Sequence, residues 1–166
     1  MTERYVHALW CDDIRQEVGN KPSFMGVYTG GILVPSLPTI LPRLAVYIWI
    51  KTPIGQPFES LRIRISRDDE FLLIETPLEK LPDQSAVTPQ PNRTQQVVMT
   101  GILISGVEMP ADCKYFRVLV ETESETLEGP KLHINVDKQR FADASCGFIE
   151  SATPDAESPN SGSRQD

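Results

Sequence analysis

The sequence predicts an all-β protein: an immunoglobulin-like antiparallel β-sandwich of about eight strands, ending in a disordered C-terminal tail. Two observations carry that expectation. First, apolar and polar residues alternate in separate runs. Leu61, Ile63 and Ile65 lie between Ser60, Arg62, Arg64 and Ser66; Leu44, Val46, Ile48 and Ile50 interleave with Arg43, Tyr47, Trp49 and Lys51; Leu132, Ile134 and Val136 interleave with Lys131, His133, Asn135 and Asp137. A period of two gives each run one face to bury and one to wet. Second, no segment of helical period separates these runs, and turn signals recur at the spacing of a sandwich, which argues against the common nucleotide-binding folds.

Along the chain, Arg4 to Ile14 reads as a first strand, with Tyr5 to Cys11 its centre. Glu17-Val18-Gly19-Asn20-Lys21 has turn chemistry, because Gly19 and Asn20 tolerate positive φ. Ser23 to Thr29 returns as a second strand and Gly30-Gly31 breaks it. Ile32 to Pro42 carries three prolines, so an edge segment or an irregular crossover is expected there, with a helical turn around Leu37 to Leu41. Arg43 to Lys51 is the strongest strand. Pro53 to Pro57 is a loop, and Glu59 to Ser66 is expected to return as its hairpin partner. Asp68-Asp69 turns the chain into Glu70 to Glu75. Thr76 to Thr94 is a long, proline-rich connection. Gln95 to Ser105 is a strand with a bulge expected at Gly101. Met109 to Asp112 turns, Tyr115 to Thr122 is a strand with Phe116, Val118 and Val120 inward, Glu123 to Glu128 turns, and Leu132 to Val136 closes the sandwich.

These elements divide the chain into a sandwich domain over 1–138, a partly ordered extension over 139–150 and a disordered acidic tail over 151–166. The tail holds Pro, Ser, Asp, Glu, Asn and Gly with no large apolar residue, so it cannot repay the entropy of ordering. The length of 166 residues suits one domain with a real core. The net charge is −7, and from Ala142 onward five acids stand against one base. The domain itself is therefore only mildly acidic, which disfavours a phosphate backbone as partner. The longest apolar run, Leu44 to Ile50, is far short of a membrane span. The N-terminus lacks a basic segment followed by an apolar one, so no signal peptide is expected. Cys11, Cys113 and Cys146 are an odd number with no close pair, which argues against a disulfide framework or a zinc ribbon and points to a reducing, cytoplasmic setting.

The stretch Ala8-Leu9-Trp10-Cys11-Asp12-Asp13-Ile14-Arg15-Gln16-Glu17, the Gly-Asn turn and Phe24-Met25-Gly26-Val27-Tyr28 together resemble an uncharacterised family of bacterial and phage-associated β-sandwich proteins, a domain of unknown function. The segment Pro35-Ser36-Leu37-Pro38 through Pro42-Arg43-Leu44 and the closing pattern Tyr115 to Glu121 with Leu132 to Val136 fit the same family. The likeness spans roughly Tyr5 to Val136. It implies the fold and supplies no catalytic residues.

Candidate chemistry is sparse. Asp12, Asp13, Arg15 and Glu17 are the densest polar group, read either as a carboxylate cluster for a divalent cation or acid–base work, or as a hairpin end. Asp68 and Asp69 form a second acidic loop, and a cation site would draw Asp12, Asp13, Asp68 and Asp69 together at one end of the sandwich. His7 and His133 are the only histidines, and His7 is too far along its strand from Cys11 to share a metal. No nucleophile elbow or phosphate loop is present. Tyr47 and Trp49 share the polar-side face of their strand. In the expected hairpin, Trp49 stands opposite Arg62 and Tyr47 opposite Arg64, giving an aromatic–basic patch suited to a protein partner. The sequence thus favours a non-enzymatic binding or accessory module, without cofactor and without nucleic-acid or membrane partners. Its site would be Tyr47, Trp49, Arg62 and Arg64, and an exposed edge strand would invite pairing with a second copy. The alternatives are a divalent-cation-binding sandwich and an enzyme of unrecognised type, the latter requiring an enclosed pocket that joins Asp12 or Asp13 to His7 or Arg15.

Overall fold

In the computed structural model, which describes residues 3–78 and 94–145, alternating burial organises an all-β chain. The elements are β1 (Tyr5–Cys11), β2 (Asp13–Glu17), β3 (Lys21–Met25), β4 (Ile32–Val34), β5 (Thr39–Pro53), β6 (Leu61–Arg67), β7 (Phe71–Pro77), β8 (Gln95–Met109), β9 (Tyr115–Thr122), β10 (Thr126–Glu128), β11 (Leu132–Val136) and one helix, α1 (Lys138–Ser145). A smaller sheet has the order β1-β5-β8. A larger one runs β4-β11-β9-β6-β7, with β10 also paired to β9, and β2 and β3 form a separate hairpin. All pairings are antiparallel except β11 with β4, which is parallel.

One hydrophobic cluster draws on both sheets: Val46, Ile48 and Ile50 of β5 meet Ile63 and Ile65 of β6 and Phe116, Val118 and Val120 of β9. Ile48, Ile63 and Val118 are each 0 % exposed, as the period-two pattern requires. Burying such side chains contributes roughly 1.5–3 kcal/mol apiece. Trp10 joins this core and closes it against the Phe116 ring, while its indole N–H donates to the Pro130 carbonyl.

The chain departs from the sequence reading at definite places. The strand expected over Arg4 to Ile14 breaks at Asp12, whose N–H donates to the carbonyls of Met25 and Gly26. β5 begins at Thr39, so there is no helical turn over Leu37 to Leu41. Pro42 is tolerated in the strand because it faces Gly106, and both strands exchange their buried and exposed faces at that level. The expected hairpin between the strands at 43–51 and 59–66 does not form. β5 pairs with β1 and β8, whereas β6 pairs with β7 and β9. The chain after β5 crosses to the other layer, so that Leu61, Ile63 and Ile65 can face Val46, Ile48 and Ile50 across the core. The β5–β8 register runs through Gly101 without a bulge. The irregularity falls instead at Ile65/Ser66, between β6 and β7. The segment read as a turn over 123–128 contains the short strand β10, and α1 lies across the end of the domain and the start of the extension. The tail over 151–166, and most of the long connection before β8, lie outside the described residues. Among the described residues no helix is long and apolar enough to cross a membrane.

Arg4 fastens the start of the domain. Its guanidinium pairs with Glu123, donates to Thr52 Oγ1, Ser124 Oγ and the carbonyls of Gln56 and Pro57, and lies 4.9 Å from the Phe58 ring centroid. The Glu123 carboxylate also accepts the N–H groups of Glu59 and Ser60. One ion pair thereby ties together the N-terminus, the loop after β5 and the turn after β9.

Candidate functional surface

The outer face of the smaller sheet is unusually apolar. Opposite one another across it stand His7, Trp49 and Met99, then Leu9, Tyr47 and Gly101. The β2–β3 hairpin, here called the arm, folds over this face. Ile14 and Phe24 are paired across the arm and turn to the same side. The Phe24 ring packs edge-on to Tyr47 at 5.1 Å and to Trp49 at 6.2 Å, and Tyr47 meets Trp49 at 4.7 Å. Ile14 Cδ1 lies 3.3 Å from where a Cβ on Gly101 would stand, so the glycine makes room for the arm. Asp13 pairs with Arg43 of β5 at 3.1 Å.

The base of the arm is a tight lock. Gly26 takes φ 63°, a region that costs an L-residue about 1–2 kcal/mol. A Cβ there would run into Asp12 Oδ2 and stand 2.6 Å from Asp12 Cγ. The Asp12 carboxylate fills that space and accepts the Tyr28 hydroxyl, while Tyr28 N–H donates to the Trp10 carbonyl. Burial first, and then the neighbouring Asp12 carboxylate, push the Tyr28 phenol above its ordinary range. The distinctive N-terminal stretch of this sequence is therefore the hinge and foot of the arm.

The four residues expected to form one patch are divided. Tyr47 and Trp49 are together on the outer face of the smaller sheet. Arg62 and Arg64 are on the outer face of the larger sheet, on the opposite side of the shared core, because the alternate residues of both strands point inward to it. There Arg62 pairs with Glu75 at 3.2 Å, and Arg64 lies between Glu75 and Glu121, 2.9 Å from the latter. These arginines serve the pairing of β6 with β7 and β9.

The four aspartates are likewise committed to local partners. Asp12 binds Tyr28, and Asp13 binds Arg43 and approaches Arg15. Asp68 accepts the N–H groups of Lys114 and Tyr115. Asp69 accepts the Tyr115 hydroxyl and Arg117, which together hold its carboxyl below the usual range. Among the described residues no three His, Cys, Asp or Glu side chains converge as metal ligands. The structure does not bring the aspartates into one site.

His7 stacks beside Trp49, with centroids 5.6 Å apart. It also lines an open groove of about 280 Å3 between the β1 edge, Val27–Gly31 and Pro130–Leu132, whose walls hold no carboxylate or thiol. The pocket that would join His7 or Arg15 to Asp12 or Asp13 is therefore not this one. His133 packs its ring against Tyr115. Cys11 and Cys113 are buried and free; burial, with Asp68 adding, pushes the Cys113 thiol up to about 11.

Sequence reasoning missed Phe24, Ile14 and Met99 as parts of the surface. Ile14 and Phe24 were legible as a hairpin pair about the Gly19-Asn20 turn, but which face they cover depends on the Asp12 break, a tertiary feature. Compared with protein-family models, curated proteins and solved structures, the chain matches none of them significantly.

Proposed function

We propose that this chain is a non-enzymatic binding or accessory module that acts through protein–protein contact, with the row His7, Trp49 and Met99 as its contact surface. The supporting observation is the part of this face that the arm leaves open: Met99 is 58 % exposed beside a half-buried Trp49, and Met25 on the arm adds a further exposed apolar side chain. Tryptophan and methionine set among polar neighbours are the residues that concentrate binding energy at interfaces. An immunoglobulin-like sandwich is the scaffold this reading assumes, and the two-sheet core supports it. The cytoplasm is the compartment it assumes, supported by the two buried free thiols.

The test is affinity capture with the tagged chain, counting only species displaced by excess untagged chain. Trp49→Ala is expected to keep the sheet circular dichroism of the wild type, to melt somewhat lower because the His7, Phe24 and Tyr47 rings lose a neighbour, and to lose the displaceable partner. Retention of every displaceable partner by Trp49→Ala would sink the assignment.

A further inference from the structure

We infer that β8 is a dimerisation edge, which pairs antiparallel with β8 of a second copy of this chain beneath the two arms. The inference is independent of the proposed contact face, because it rests on backbone groups.

The polarity of the ladder can be worked out from the edge of β1. Its Trp10 carbonyl and Asp12 N–H bond to Tyr28, Met25 and Gly26, on the side away from β5. In antiparallel pairs such residues alternate, so Ala8 also points away from β5, and its partner Ile48 directs its own groups to β8. Thr100, opposite Ile48, therefore bonds to β5, as do the other even-numbered residues of β8. The bond from Ile54 N–H to the Thr94 carbonyl has the same parity. Val97, Met99, Gly101, Leu103 and Ser105 then send their N–H and C=O groups off the sheet. β8 ends the sheet order, and among the described residues no backbone hydrogen bond reaches that side.

Edges of this kind are usually guarded by charge, proline or brevity. β8 is fifteen residues long, and no charged side chain or proline occurs from Gln95 to Val107. Its outward side chains Met99 and Leu103 are 58 % and 47 % exposed. The occupant must be an extended strand, and two features point to a second copy. The whole chain carries −7, yet an antiparallel β8 pair sets no like charges opposite each other along 95–107. The arm also crosses the sheet from β1 over Arg43 and Gly101 toward the β8 side, and Val18 at its tip is 95 % exposed. Continued in the same direction, the arm would overhang a strand added to β8. The arm passes over Gly101, so the two-fold axis must fall beside it. An axis at Leu103 keeps the parity, pairs Gly101 with Ser105 of the second copy, and sets the two arms about 13 Å apart along the strands.

The experiment is sedimentation velocity on the full chain at micromolar concentrations. The wild type is expected to be a dimer, and Leu103→Lys, which sets two ammonium groups face to face, a monomer with the circular dichroism of the wild type. Leu103→Thr is expected to remain dimeric. A second measurement, which introduces no charge, uses Leu103→Cys in a Cys146→Ser background. Directly paired residues at a two-fold axis have Cα atoms about 5.5 Å apart, within disulfide range, so mild oxidation should give a covalent dimer, and Val97→Cys should not. A monomeric wild type, a dimeric Leu103→Lys or an unlinked Leu103→Cys would each overturn the inference. Trp49→Ala is expected to dimerise normally, which separates this result from the fate of the contact face.

Discussion

Gly26→Ala tests the lock at the foot of the arm. The substitution has two costs. Alanine in the left-handed region costs about 1–2 kcal/mol. Its methyl group also displaces the Asp12 carboxylate, which the glycine alone accommodates, and so breaks the bond from the Tyr28 hydroxyl. A partly exposed hydrogen bond of this kind contributes about 1 kcal/mol. The sum is about 2–3 kcal/mol, which moves a urea midpoint by about 1–2 M for a domain of this size. Urea unfolding followed by circular dichroism reads the loss. Amide exchange locates it, with β2 and β3 expected to lose protection while β6 and β9 keep theirs. The argument has a sharper form. In an Asp12→Ala background the methyl meets only the Cβ of residue 12, 3.0 Å away, so Gly26→Ala should cost little beyond its backbone share, and the two changes should be non-additive by about 1 kcal/mol. A Gly26→Ala protein within 0.5 kcal/mol of wild type, or an equal cost in both backgrounds, would refute the reasoning. Gly30→Ala is the control, since a Cβ there meets open space.

Two further predictions rest on a clamped carboxyl and on buried thiols. Burial works to raise the Glu123 carboxyl, but its own backbone N–H, Arg4 and the N–H groups of Glu59 and Ser60 outweigh it and hold the group below the usual range. A carboxyl depressed in the folded state adds stability that is complete above its unfolded value of about 4.3 and is lost as pH falls through the folded value. Melting temperature should therefore drop below about pH 4.3, and Glu123→Gln should flatten that part of the profile. Arg4→Ala should cost about 1–2 kcal/mol at neutral pH by removing its ion pair and hydrogen bonds, and an unchanged urea midpoint would show that the clamp is redundant. Cys11 and Cys113 are buried, with thiol values raised first by burial. Intact mass after iodoacetamide at pH 8 should show no more than one adduct on the native protein and three in urea; two or three on the native protein would contradict the packing.

What was legible in the sequence was the alternation, and with it the core. Ile48, Ile63, Val118 and Phe116 were assigned inward and all are fully buried, because the side-chain period of a strand is a local property. The arm was legible as a hairpin for the same reason, since Gly19 and Asn20 supply the positive φ that its turn needs. Partner choice was not. Nothing in Arg43 to Lys51 or Glu59 to Ser66 says whether the next strand pairs beside its predecessor or faces it from the other layer, since both arrangements bury the same residues. That decision moved Arg62 and Arg64 to the opposite surface from Tyr47 and Trp49. Tertiary contacts likewise gave Asp12 to Tyr28, Asp13 to Arg43, and Asp68 and Asp69 to the start of β9.

The chain's own order of residues determined that this protein would be layered sheets with these side chains inside. Only the tertiary structure decided which outward faces are covered, which strand is left at an edge and which polar groups meet. Burial depends on each residue's immediate alternation, whereas pairing is settled by competition among distant segments for the same backbone hydrogen bonds.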